Sequence, residues 1–213
     1  MKSKIKIIVG VIAAAILIPI IIYTVSPLFI NTSVNEPPPV SALAFQKFMS
    51  MTEEGRIQAA NNMNQNEKEA IMKMAAQENN TASENMPSEI RSQESPNSQP
   101  VLSGNFIGVN DGIHNAEGLA RVISLGNSTS VLRLENFKAT NGPDLYVYLA
   151  ADNSASDIVN LGRLKGNIGN QNYIIPAGTD LSKYDRVLIW CRAFSVLFGS
   201  AQLVPFNRTL EMR

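Results

Sequence analysis

One cysteine, one histidine and one tryptophan in 213 residues leave few of the side chains that cross-link chains or bind metals. A lone Cys191 forms no internal disulfide, and tetrathiolate zinc and iron–sulfur cages are excluded. Because His114 is the only imidazole, neither an HExxH zinc site nor a two-His copper centre can be built within the chain. The CxxCH motif is absent, so any haem would be held non-covalently. Positive charge is not in surplus: 18 Lys and Arg balance 18 Asp and Glu. A nucleic-acid binder needs a basic excess to displace counterions from phosphate, so no nucleic-acid partner is expected. Also missing are a Ser-His-Asp order with family context, glycosidase-type paired carboxylates and a phosphate-binding glycine loop.

What is present falls into regions of different charge. Residues 1–30 carry three Lys and no acid, residues 31–100 hold five basic against nine acidic residues, and the remainder is close to neutral. After Lys2, Lys4 and Lys6, the uncharged run Ile7 to Ile30 is long enough, at about 1.5 Å per helical residue, to cross the lipid bilayer's apolar core of roughly 30 Å. The apolar core of a cleaved signal peptide is shorter and ends in small residues, whereas here the nearest small-x-small stretch, Ala42-Leu43-Ala44, lies far downstream. Residues 1–30 are therefore read as an uncleaved signal anchor. Lysines before the run place the N-terminus in the cytoplasm and the C-terminal domain outside the cell membrane. Asn-x-Ser/Thr sequons begin at Asn31, Asn79, Asn127 and Asn207, about as many as an Asn-rich chain produces by chance.

Residues 31–76 read as a Pro-containing stalk and a helical hairpin. Glu36-Pro37-Pro38-Pro39 suggests a short polyproline rod. Ala42, Phe45, Phe48 and Met49 recur at helical spacing, Ser50-Met51-Thr52-Glu53 has the form of a capping box, and Asn64 or Asn66 opens a segment striped with Ala70, Ile71, Met74 and Ala75. Residues 77–100 have too few large apolar groups to offset ordering entropy, which predicts a flexible linker. Six of the eight Met fall between positions 49 and 86, and thioethers suit Cu(I). Residues i and i+2 of a helix point about 200° apart, however, so neither Met49-Ser50-Met51 nor Met72-Lys73-Met74 chelates one ion, and Met as core filler is the plainer reading.

From residue 101 to 213 the hydrophobic period becomes alternating, with Gly and Asn punctuation every 8–12 residues. Strands are predicted at Gly104 to Val109, Gly118 to Ser124, Val131 to Phe137, Leu145 to Ala150, Asn172 to Ile175, Arg186 to Phe194 and Val196 to Val204. Leu161 to Asn172 reads as a connection. No helix-length stripe interrupts the series, so the expected architecture is an all-β antiparallel sandwich or related barrel.

The blocks Gly112-Ile113-His114-Asn115-Ala116-Glu117-Gly118, Leu132-Arg133-Leu134-Glu135-Asn136-Phe137 and Gly142-Pro143-Asp144-Leu145-Tyr146-Val147-Tyr148-Leu149 occur in that order. Leu161 to Tyr173 and Val187-Leu188-Ile189-Trp190-Cys191-Arg192-Ala193-Phe194-Ser195-Val196 follow. Together they resemble the DM-thirteen domain family over about residues 101–205. The resemblance implies a DOMON-like β-sandwich with an electron-transfer role, a partner such as a cytochrome b-type or DOMON-containing membrane redox protein, and a redox or prosthetic-group-ligating role for Cys191.

The residues themselves leave two readings open. On a strand from Arg186 to Phe194, Cys191 shares a face with Val187, Ile189 and Ala193, a setting for a buried, inert thiol; Leu188, Trp190 and Phe194 fall on the other face. Adjacent Arg192 and an extracytoplasmic location favour reactivity instead. His114, in a Gly-bounded loop, is a hydrogen-bonding turn residue or, with Cys191, a ligand to a non-covalent haem or to a metal. Asp144 reads as a turn cap or strand start. The chain is thus expected to be either a membrane-tethered redox domain working through Cys191, with or without a cofactor, or a non-catalytic envelope binding or scaffold module in which Cys191 is packing.

Overall fold

The computed structural model describes residues 39–86, 100–126 and 129–206. The expected membrane anchor, the polyproline rod up to residue 38, the linker residues 87–99 and the sequons at Asn31, Asn127 and Asn207 lie outside them. No helix among the described residues is long and apolar enough to cross a membrane.

The C-terminal domain is an antiparallel all-β structure between a sandwich and a nearly closed barrel. Its strands are β1 (Pro100–Gly108), β2 (Ala116–Gly126), β3 (Thr129–Ala139), β4 (Leu145–Ala150), β5 (Ile158–Arg163), β6 (Gln171–Ile175), β7 (Arg186–Cys191), β8 (Val196–Gln202) and β9 (Val204–Pro205). They run in the order β5-β4-β7-β8-β1-β2-β3-β6, with β9 on β1. Strand β1 joins the two halves: Pro100 to Asn105 pair with β2, and Phe106 to Gly108 pair with β8. Gly104 and Gly199 permit this corner. A Cβ on Gly104 would lie 2.0 Å from the Gln202 carbonyl oxygen, and one on Gly199 would meet Ala116 Cβ at 2.8 Å.

Alternation in the sequence becomes two apolar layers. Val187, Ile189, Cys191 and Ala193 point into the main core with Leu132, Leu134, Val147 and Phe198. On the outer face of β4 and β7, Tyr146, Tyr148, Ala150 and Leu188 form a smaller cluster that Trp190 joins. Phe194 departs from the expected outer face. The strand ends at Cys191, and a turn with Ser195 at φ 53° swings Phe194 back into the main core. β5 was expected as connecting chain. It is an edge strand whose alternation is broken by a register shift opposite Val147 and Tyr148, with Gly162 at φ 114°.

Where a helical hairpin was expected there are three helices, α1 (Pro39–Met49), α2 (Glu53–Asn62) and α3 (Gln65–Ala76). The capping box shifts by two residues from its expected place: Ser50 Oγ donates to the Lys47 carbonyl, and Thr52 caps α2 by accepting from Gly55 N–H at 3.1 Å. Asn64 and Glu67 form a complete capping box on α3, at 2.8 and 3.0 Å. Phe45, Phe48, Ala60, Ile71, Met72 and Ala75 bury into the same core as the barrel residues, so the helices form a cap rather than a stalk. The interval after α3 also departs from a free linker. Ala82 and Glu84 donate backbone N–H groups to the carbonyls of Ile168 and Asn170, and Lys165 Nζ holds Glu84 Oε1 at 2.7 Å. Composition gave no sign of this strap because backbone and polar partners on the barrel hold it, not its own apolar residues.

Candidate functional site

Cys191 closes β7 opposite Leu145 of β4 and Val196 of β8. It is 0% exposed. Burial pushes its thiol pKa up, and the nearby Asp144 charge adds to the rise. Backbone N–H groups of Phe194, Asp144 and Ala193 pull it down only in part, which leaves a pKa of about 12 against an ordinary 9.0. Cys191 is therefore a neutral thiol sealed in the core. Three residues further on, Phe194 meets Phe48 of α1 with ring centroids 5.4 Å apart.

The barrel end that carries Cys191 is sealed to the cap by a charge network absent from the sequence-based expectations. Asp144, expected as a turn cap, is 0% exposed and has three guanidiniums around it. Arg56 Nη2 of α2 approaches Oδ1 at 3.0 Å, Arg163 Nη2 of β5 approaches the same oxygen at 3.4 Å, and Arg192 Nε approaches Oδ2 at 3.3 Å. Arg56 is itself only 5% exposed along its side chain, and its Nη1 donates to the Met51 carbonyl. Glu53, at the start of α2, adds the outer layer: its carboxylate accepts from Tyr146 Oη at 2.5 Å and sits 2.9 Å from Arg192 Nη2. The Arg192 guanidinium lies 4.4 Å over the Tyr146 ring. Burial and the bond to Glu53 push Tyr146 up to about 12, while the Tyr146 and Arg192 hydrogen bonds hold Glu53 below the usual carboxylate range. The one sequence signal for this network was Asp144 on a buried-strand boundary after Pro143. Its partners are 88, 19 and 48 residues away, beyond any local motif.

His114 stands in the β1–β2 loop, and the fold gives it different company from Cys191. Asp111 caps the loop by accepting from the backbone N–H groups of Ile113 and His114, and its second oxygen lies 2.6 Å from His114 Nδ1. Burial raises the Asp111 pKa, but these hydrogen bonds outweigh it and bring the carboxyl down to about 2. An ionised carboxylate only accepts, so Nδ1 carries the ring proton. The imidazole packs edge-on against Phe198, centroids 4.7 Å apart, and lines a cavity of about 100 Å³ with Met72, Phe194 and Val196. Cys191 does not line this cavity.

Neither of two cavities among the described residues brings a haem to the sulfur. Cys191 borders neither this cavity nor one of about 110 Å³ lined by Phe45 and Met49 of α1, and pockets for drug-sized ligands run to roughly 300–1,000 Å³. Among the described residues, no group of three or more His, Cys, Asp or Glu is placed to hold a metal ion.

Residues 106–203, from the last turns of β1 through β8, match the family model described as Electron transfer DM13. This part of the chain is similar to the DM13 family. The match points to a redox or electron-transfer role and includes both His114 and Cys191. The helical cap lies outside it. No curated protein matches the sequence. Among solved structures, superoxide dismutase 5 of Candida albicans in its Cu(II) form shares 13% identity with this chain, covering 51% of it and 94% of the dismutase, at a TM-score of 0.36. A point mutant of the same dismutase, also 13% identical, covers 52% and 94% at a TM-score of 0.34.

Proposed function

We propose that this chain is a redox module tethered through residues 7–30 on the outer side of a membrane, in which Cys191 is the electron-exchanging atom and the helical cap is its cover. The electron-transfer family match supports the redox role. The observation that carries the assignment to Cys191 is the position of Asp144: its backbone and charge act on the sulfur, and its carboxylate anchors the cap through Arg56. The group that fastens the cover is therefore the group next to the thiol. In the closed form the thiol is neutral and unreachable. Displacing the cap hydrates it and returns its pKa toward the ordinary value. The thiolate then attacks a partner disulfide, one sulfur–sulfur bond forming as another breaks and the partner's second sulfur leaving as thiolate. With one cysteine in the chain, a second thiol must resolve this mixed disulfide, which makes the partner a dithiol or disulfide redox protein of the membrane.

A second reading has its own observation. A thiol at 0% exposure is also what a core residue looks like, and then the sandwich is a scaffold or binding module of the envelope. Labelling of the native full chain with a maleimide, followed in time, decides between them. A redox thiol labels slowly but measurably under folding conditions and forms a mixed disulfide with a small disulfide probe. No labelling short of global unfolding, with Cys191→Ser unchanged in every redox assay, leaves the scaffold reading.

A further inference from the structure

His114 Nε2 is a buried ring nitrogen with no hydrogen-bond partner, although the side chain is held firmly by its other edge. An unpaired buried polar atom is destabilising, so its retention calls for an explanation. The surroundings supply one. The imidazole is oriented by a carboxylate at Nδ1, the arrangement that fixes ring and tautomer in metal-ligating histidines and leaves the Nε2 lone pair free. It lines the cavity of about 100 Å³, far more than a single ion needs. One face of α3 also lines it, where Gln65, Glu69 and Met72 stand at helical spacings of four and three residues. Met72 lines the cavity and is 3% exposed, so its thioether is shielded from solvent.

We infer that His114 and Met72 form a monovalent copper site at the junction of the β1–β2 loop and α3, with Gln65 or Glu69 supplying an oxygen ligand. The donor set selects the ion. A thioether with an imidazole suits Cu(I), whereas an all-oxygen preference excludes Mg²⁺ and Ca²⁺, and a structural Zn²⁺ site would want four nitrogen or thiolate ligands. The cavity wall carries Lys68 and Glu69, the latter with its Oε2 3.5 Å from Lys73 Nζ, and Asp111 stands behind the ring. This differs from pairing Met residues two apart within one helix, because the two ligands here come from different elements that the fold brings together. The site does not depend on the assignment of Cys191.

Anaerobic titration of the full chain with Cu(I) against a colorimetric chelator tests the site. One tight equivalent is expected. Met72→Leu preserves volume and removes only the sulfur, and His114→Gln removes the imidazole; each should weaken binding by about tenfold or more, and Asp111→Asn, a positioning change, by about 10–100-fold. Cys191→Ser should leave the affinity unchanged, which keeps failure here separate from failure of the thiol reading. Far-UV circular dichroism with a melting curve checks that each variant is folded. Absence of a tight equivalent overturns the proposal, as does binding indifferent to Met72→Leu in a folded protein, which would place copper on the remaining methionines. Loss of binding in Cys191→Ser overturns it too.

Discussion

Replacing Asp144 by Asn keeps the side chain's shape and removes the one negative charge that Arg56, Arg163 and Arg192 share. The amide can accept through one oxygen only, and its NH₂ turns a donor toward a guanidinium donor. Arg56, at 5% exposure, is largely shut off from solvent. Breaking a buried ion pair from one side costs about 3–5 kcal/mol. For a domain of this size each kcal/mol moves the melting temperature by about 2–4 °C, so a fall of roughly 6–20 °C is expected. The same loss weakens the cap, and at about 1.4 kcal/mol per decade a 3 kcal/mol loss should speed maleimide capture of Cys191 by roughly 100-fold. The control is Leu132→Ala, which hollows the barrel core at a fully buried position for a comparable global loss of about 2–5 kcal/mol. If the cap opens on its own, Asp144→Asn labels much faster than Leu132→Ala at matched melting temperature. Equal labelling at matched stability would refute independent opening, and a loss below about 1 kcal/mol would show that the network behaves as a surface one.

Other outcomes follow from the same contacts. Tyr146 is raised from 10.0 to about 12 in the fold, so its neutral form is favoured; that contribution is complete below pH 10 and is lost as pH rises through about 12. Urea melts across this window should show a shallower decline in Tyr146→Phe than in the parent, and parallel slopes would contradict the assignment. Glu53 is lowered, so its contribution stands above its ordinary value of 4.5 and disappears as pH falls through the folded value; Glu53→Gln should flatten the acid limb of the same melts. Gly169 sits at φ 114° with its missing Cβ 2.3 Å from the Ala82 carbonyl oxygen. Gly169→Ala should detach the strap at a cost above about 1 kcal/mol, read as faster hydrogen exchange at the Ala82 and Glu84 amides; unchanged protection there would mean the strap is held elsewhere.

Period and punctuation were enough to read the barrel's strands. β4 came out at its observed bounds because Leu145 to Ala150 is buried on both faces, and most other strands differ only at their ends. What escaped was set by non-local geometry. β5 is an edge with an irregular register, and its Asn160 and Gly162 resemble turn residues because they make one: Asn160 Oδ1 accepts from Gly162 N–H at 2.8 Å. The strap's residues look disordered in isolation because most of its partners lie more than 80 positions away. The candidate site was legible as residue types, Cys191 and His114, but not as an arrangement. Sequence order cannot say that a turn at Arg192 carries Phe194 inward, or that His114 faces α3 instead of the sulfur.

The seam between cap and barrel mixes two kinds of contact, and the mixture bears on how it opens. Phe48 on Phe194 and the apolar faces of α1 and α3 supply the attraction, which is insensitive to direction. The ions add direction: Asp144 accepts Arg56 in one register of α2 only, and a cap docked a turn away would leave a buried guanidinium unpaired, at a cost of several kcal/mol. An all-apolar seam of the same area would hold at least as well and would tolerate slippage. A seam closed on a buried carboxylate next to the thiol has instead one closed position, with Glu53, Arg163 and Arg192 at its rim. A partner presenting a carboxylate to Arg163 and Arg192 would compete with Glu53 for them, so the first contact to yield would be the one that begins α2.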